Sequence, residues 1–211
     1  MRYIGIDVSK ATFMVAYPQQ NGGYKTREFK NTAKGVHEFI HTLDTDDHCV
    51  MEATGNYSYL LLYLLNHANI TTSMENALKV KNFARTMLSV TKTDKADAQL
   101  LSLYGERMRP APFKLPSDSI LLLKQKRAAI RQFQKQLHAT NNLKKSLEVL
   151  PKKDPATFKS IAKITETLEK QIRKMQEEMI VLTQAEFNQQ MDKLTSIKGI
   201  GVSLAAAIII T

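Results

Sequence analysis

One cysteine, no tryptophan and no apolar run of membrane-spanning length are the first shortages of this 211-residue chain. The lone Cys49 excludes an internal disulfide, and its place in an apolar strand-like run marks it as a small core residue rather than a nucleophile. A reducing, cytoplasmic compartment fits. No segment approaches the ~20 apolar residues that cross a bilayer, and the N-terminus enters strand-like sequence with no signal-peptide pattern. Without tryptophan, and with apolar residues spaced for helix packing, membrane-surface binding is not expected either. Acidic residues are also scarce, 20 against 30 lysines and arginines, for a net charge of +10.

That imbalance is unevenly placed. Residues 1–110 hold 13 Lys/Arg against 11 Asp/Glu, whereas residues 111–153 hold 10 against only Asp118 and Glu148. The basic set includes Lys124, Lys126, Arg127, Arg131, Lys135, Lys144 and Lys145. A basic segment joined to a balanced one points to a polyanionic partner, and nucleic acid is the one expected.

Four of the acidic groups of the first half fall into three short motifs. Asp7 ends the apolar run Ile4-Gly5-Ile6-Asp7, and Glu52 ends Cys49-Val50-Met51-Glu52, before Ala53-Thr54-Gly55. Asp94 and Asp97 stand three apart in Lys92-Thr93-Asp94-Lys95-Ala96-Asp97, on one face of an expected helix. An isolated strand-end Asp is ordinarily a turn former or helix cap. Two strand-end carboxylates together with a helical pair suit a hard divalent cation, which takes oxygen ligands. Paired Mg²⁺ ions are a common device for displacement at phosphorus. Asp7, Glu52, Asp94 and Asp97 are therefore the candidate metal ligands and catalytic carboxylates.

Alternation predicts strands over 3–8, 12–17 and 24–29, the last two joined through Asn21-Gly22-Gly23, a hairpin signal. Asn31-Thr32 should cap a helix over 33–43, with Val36, Phe39, Ile40 and Leu43 on one face. A strand over 48–52, a helix from Gly55-Asn56 through Leu65, a strand from Ile70 to Met74, and helices over 76–88 and 94–107 come next. Three antiparallel strands, then helix, strand, helix, strand, helix, is the order of an RNase H-like α/β domain, here 1–110.

Pro110, Pro112 and Pro116 mark a linker, and the chain beyond them reads as almost wholly helical. The first arm runs from Leu123 to Leu150. Asp154-Pro155 opens a second arm on which Phe158, Ile161, Leu168, Ile172, Met175, Met179 and Leu182 keep a three-four spacing. That is about four heptads, enough to expect an antiparallel coiled-coil hairpin over 111–190 whose seam makes a homo-oligomer, a dimer or higher. From 191 the segment around Ile197-Lys198-Gly199-Ile200-Gly201 suggests a helix-hairpin-helix, with Gly199 and Gly201 allowing a tight turn and amides facing a phosphate. The apolar end, Ala205 to Ile210, is expected to continue into a further domain.

With these residues in hand, the chain resembles the DEDD-type transposases of bacterial insertion sequences, which include pilin-gene invertases and bridge-RNA-guided recombinases. Ile4-Gly5-Ile6-Asp7-Val8-Ser9-Lys10, Glu52-Ala53-Thr54-Gly55, Lys92 to Ala98 and Ile197 to Gly201 carry the resemblance. It implies a RuvC-like domain whose Asp7, Glu52, Asp94 and Asp97 bind Mg²⁺, with Mn²⁺ able to substitute. It also implies a coiled coil for dimerisation and RNA binding, a structured guide RNA, a DNA substrate, and a serine nucleophile in a C-terminal domain. That serine's motif has no match here; Ser196 and Ser203 do not fit it. Two other classes stay open: a metal-only nuclease of the Holliday-junction resolvase kind, and a non-catalytic nucleic-acid-binding dimer.

Overall fold

The computed structural model describes residues 2–53, 55–87 and 93–210, so Thr54, Lys92, the end of the helix expected over 76–88, and Thr211 lie outside the described residues. The chain divides into two compact units, Met1–Leu115 and Pro116–Thr211.

In the first unit, β1 (Tyr3–Val8), β2 (Thr12–Pro18) and β3 (Tyr24–Lys30) form an antiparallel meander. Then come α1 (Ala33–Ile40), β4 (His48–Glu52), a 3₁₀ turn (Gly55–Ser58), α2 (Tyr59–His67), β5 (Thr71–Glu75), α3 (Ala77–Thr86) and α4 (Asp94–Met108). The sheet order is β3-β2-β1-β4-β5, with β4 parallel to β1 and β5 parallel to β4. This mixed sheet, covered by helices, is the RNase H-like arrangement expected from the element order.

Side-chain alternation along the strands separates two cores. Ile4, Ile6 and Val8 pack with Phe13, Val15, Cys49 and Met51 beneath α1 and α2. On the other face Val50 packs with Val80, Leu101 and Tyr104, and Met14 and Ala16 pack with Ala98. Asp7 and Glu52, in step with Gly5 and Val50, belong to this second face. Cys49 is wholly buried, and burial pushes its thiol far above the ordinary range, as befits a core residue.

Two boundaries in the first unit differ from expectation. The helix after Gly55 begins as a 3₁₀ turn and becomes α-helical only at Tyr59. The unit also ends at Leu115 rather than at residue 110. The prolines do not release the chain at once: Ser73 Oγ donates to the Ala111 carbonyl at 2.7 Å, and Phe113 N donates to Thr72 O at 2.7 Å. His48, held neutral by burial, shares a 2.7 Å hydrogen bond with the same Ser73 Oγ. Segment 110–113 is thereby stitched along the edge strand β5.

The second unit is all-helical: α5 (Asp118–Glu148), α6 (Pro155–Thr195) and α7 (Val202–Ile209). Ser117 caps α5, and Asp154 caps α6 through the amides of Ala156 and Thr157, with Pro155 in the first turn. The short connection over 149–154 makes α5 and α6 antiparallel neighbours. The boundary expected at 190/191 falls inside α6, just beyond Phe187, whose φ of −132° and ψ of 37° interrupt the helix. Among the described residues no helix is long and apolar enough to cross a membrane.

Candidate metal centre and basic helix face

The carboxylates are brought to one end of the sheet because α4 lies directly on β1. A Cβ on Gly5 would stand 2.0 Å from Ala98 O and 2.3 Å from Ser102 N, so only glycine admits the helix backbone at this distance. Gly105 has the same role nearer the start of β1, where a Cβ would meet Tyr3 Cδ1 at 2.7 Å and Val50 Cγ2 at 2.8 Å. Between them Ser102 Oγ donates to the Tyr3 carbonyl at 2.5 Å. Running antiparallel to β1, α4 brings its first turn to the end of the strand, where Asp7 stands. Thr93 caps that turn by accepting from Ala96 N at 3.2 Å, and Asp94 and Asp97 occupy it. The positive end of the helix dipole favours acids there.

Asp7 and Glu52 are half-buried, as is Asp97, while Asp94 is exposed. The Asp7 carboxyl is pushed up to about 6, first by burial and then by the negative charges of Asp97, Asp94 and Glu52; the Val8 amide pulls weakly the other way. The charges that raise it are carboxylates. Three motifs separated in sequence thus converge electrostatically on one group. Among the described residues, no three acidic, histidine or cysteine groups stand close enough together to grip one ion. The donor chemistry, four hard carboxylates and a surplus of negative charge, fits a divalent cation; the side chains must draw in to hold it.

The family model of IS110-type DEDD transposases, described as “Transposase”, matches residues 4–151, which hold all four of these carboxylates. The chain belongs to this transposase family. Among curated proteins it is similar to the pilin gene-inverting proteins of Moraxella bovis and Moraxella lacunata, each 33% identical over 144 residues. The matched region is 64% of this chain and 44% of each relative, so this family member spans less than half the length of those proteins. Among solved structures, Thermus thermophilus RuvC has 15% identity and a TM-score of 0.38, covering 54% of this chain and 100% of the other. RuvC in complex with a Holliday junction substrate has 14% identity and a TM-score of 0.39, over 54% and 99%.

Three of the basic residues expected to meet nucleic acid are engaged within the second unit, Lys144 only loosely, with Glu148 at 4.0 Å on its own helix. Lys126 Nζ pairs with Glu178 Oε2 at 2.5 Å, and Arg127 Nη1 donates to Ala207 O at 3.3 Å, in the last turn of α7. Their position on the flank of α5 facing its neighbours accounts for this. Lys124 is half-buried, while Arg131, Lys135, Lys144 and Lys145 are exposed along the rest of α5. Gly199 has a φ of +95° in the turn between α6 and α7, and Gly201 stands at the N-cap of α7, so a tight turn joins the two helices where the helix-hairpin-helix was expected.

The apolar stripe of α6 is covered by its own chain. Ile172 and Met179 are buried with Leu123 and Ile130 of α5 and with Ala205, Ala206 and Ile210 at the end of the chain; Met175 and Leu182 pack against the same cluster. Ile161 is also buried, with Phe158 and Leu168 partly so nearer the tip. The seam expected to make a homo-oligomer is thus packed within one chain, where α7 closes the end that α5 leaves open.

Glu75 was not legible from the sequence, because the strand was expected to stop at Met74. It is the register partner of Glu52 at the end of β5. Its carboxylate is already engaged, accepting from Tyr104 Oη at 3.3 Å and pairing with Lys79 at 3.3 Å.

Proposed function

We propose that this chain is the carboxylate-bearing part of a bacterial DNA recombinase, which cleaves and exchanges DNA strands with Mg²⁺ or Mn²⁺. In this reading it acts in the cytoplasm as a homo-oligomer, is guided by a structured RNA, and works with a serine nucleophile outside this sequence. The observation that carries the reading is α4 lying against β1 at Gly5, which brings the turn holding Asp94 and Asp97 to the strand end where Asp7 stands; the raised Asp7 carboxyl, on which Asp97, Asp94 and Glu52 act, accords with it. Family membership supports the reaction class.

Asp7, Glu52, Asp94 and Asp97 would hold the cation. When bound, it would supply positive charge to the phosphoryl oxygens and to the attacking and leaving oxygens. The chain's own contribution is placement. The close approach at Gly5 holds α4 against β1, and the half-buried setting of Asp7 limits water around it. The exposed cations Arg131, Lys135, Lys144 and Lys145 offer a surface for a phosphate backbone.

The test is strand exchange by the product of the whole open reading frame, with Asp7→Asn and Glu52→Gln as paired variants. Divalent-dependent exchange, lost in both variants, supports the proposal. Activity undiminished by either substitution removes these carboxylates from the reaction. Divalent-dependent cutting of branched DNA by the 211-residue chain alone would favour a metal-only nuclease instead.

A further inference from the structure

Asp7 and Glu52 sit on neighbouring parallel strands, yet each lies one step beyond the last residues that pair between them. The β1–β4 ladder ends at Ile6 and Met51. Asp7 is tied outward to Met14 of β2, and Glu52 outward to Glu75 of β5. The backbone ladder that aligns the two strands thus stops short of the carboxylates.

Asn31 makes a connection past that point. Its Nδ2 donates to Ser9 O at 2.9 Å, in the turn after Asp7, and to Tyr57 O at 3.0 Å, in the 3₁₀ turn after Glu52. Its backbone N–H donates to Ala11 O at 2.8 Å. Both side-chain partners are carbonyl oxygens, which only the NH₂ end of the amide can meet. Asp at this position would be acceptor-only, Leu would offer nothing, and Gln would be one carbon longer. Asn31 Oδ1 is buried without a partner among the described residues, a cost that a simple loop clip would not require.

We propose that Asn31 is a positioning residue that clamps the Asp7 and Glu52 loops together and so sets the spacing of the divalent-cation site. The inference rests on the metal-site reading above. Ser9, two residues past Asp7, and Tyr57, five past Glu52, are joined by one planar amide. Loss of either hydrogen bond lets the two strand ends move apart independently.

The test is Mn²⁺ binding to the purified chain by electron paramagnetic resonance, for the wild type, Asp7→Asn, Asn31→Ala, Asn31→Gln and Thr32→Ala. Thr32→Ala removes the neighbouring helix cap and serves as a control for general loosening. The expected result is Mn²⁺ binding lost in Asp7→Asn and weakened about tenfold in Asn31→Ala, or ~1.4 kcal/mol. Asn31→Gln should recover part of the loss, and Thr32→Ala should bind as the wild type does. Unchanged affinity in Asn31→Ala, with Asp7→Asn inactive, overturns the clamp alone, as does equal weakening in Thr32→Ala. No binding by the wild type overturns the metal-site reading, and the clamp with it. If Asn31→Ala fails to fold, the wild-type protein still decides: NMR should find the Asn31 side-chain amide protected from solvent exchange and shifted by Mg²⁺. An amide exchanging like that of a free asparagine would overturn the proposal.

Discussion

At the scale of single residues, the raised Asp7 carboxyl has a consequence for stability. In the unfolded chain the group titrates near its ordinary value of 3.8, and in the folded chain near about 6. The folded state therefore holds the proton more tightly. The associated stabilisation is fully present below the unfolded value and is lost as pH rises through about 6. With divalent ions chelated, Asp7→Asn should raise Tm above that pH and do little near pH 4. The gain should be on the order of 1 kcal/mol, after allowance for solvent screening at a half-buried site. Thermal melts across pH check this; an Asp7→Asn protein less stable than the wild type at neutral pH would contradict it. Asp7 was readable from sequence because a carboxylate ending an apolar run is conspicuous. Asn31 was read only as part of a helix cap, since its two carbonyl partners lie in loops distant in sequence. Likewise, nothing in the spacing of Lys126 and Arg127 distinguished them from Arg131 and Lys135. Only packing against Glu178 and Ala207 separates the two pairs.

Among elements, the decisive contact is α4 on β1. Gly5→Ala would force a methyl group into the backbone of Ala98 and Ser102, so the helix must lift. A loss of about 3 kcal/mol or more is expected, the upper end for overpacking. Ser102→Ala, which removes the hydrogen bond to Tyr3 O and the one shared with Tyr24 but adds no bulk, should cost about 1–2 kcal/mol, one per bond. Denaturant titration of both variants measures the difference, and a mild Gly5→Ala phenotype would show that α4 is held elsewhere. The strands were legible to within a residue or so, because alternation marks both their ends and their faces. The 3₁₀ start at Gly55–Ser58 was not legible, since the apolar spacing of Leu61, Leu62 and Leu65 marks only the α-helical part. On α5, reversing Arg131, Lys135 and Lys145 to Glu should weaken RNA binding and flatten its salt dependence. Lys126→Glu places a like charge against Glu178 and should mainly lower the stability of the helical unit. Filter binding at several salt concentrations, beside thermal melts, separates these outcomes; unchanged binding by the triple variant would mark the charge as solubilising only.

For the whole molecule, two units with different chemistry share one chain: an α/β unit holding the carboxylates and a helical unit holding most of the basic excess. The division was readable from prolines and charge, although the stitching of segment 110–113 to β5 moved it to Leu115. The seam of α6 was also readable as a stripe, but a stripe does not name its partner. Because Ile172 and Met179 are buried against α5 and the chain end, Asp at both should unfold the helical unit rather than merely separate subunits. Whether Asp7, Glu52, Asp94 and Asp97 form a divalent-cation site is decided by the change of Tm with Mg²⁺ for wild type and Asp7→Asn. Binding to the native state alone should raise the wild-type Tm progressively with Mg²⁺ concentration, and the substitution should abolish the rise. An equal rise in both proteins, or none in the wild type, would contradict the account.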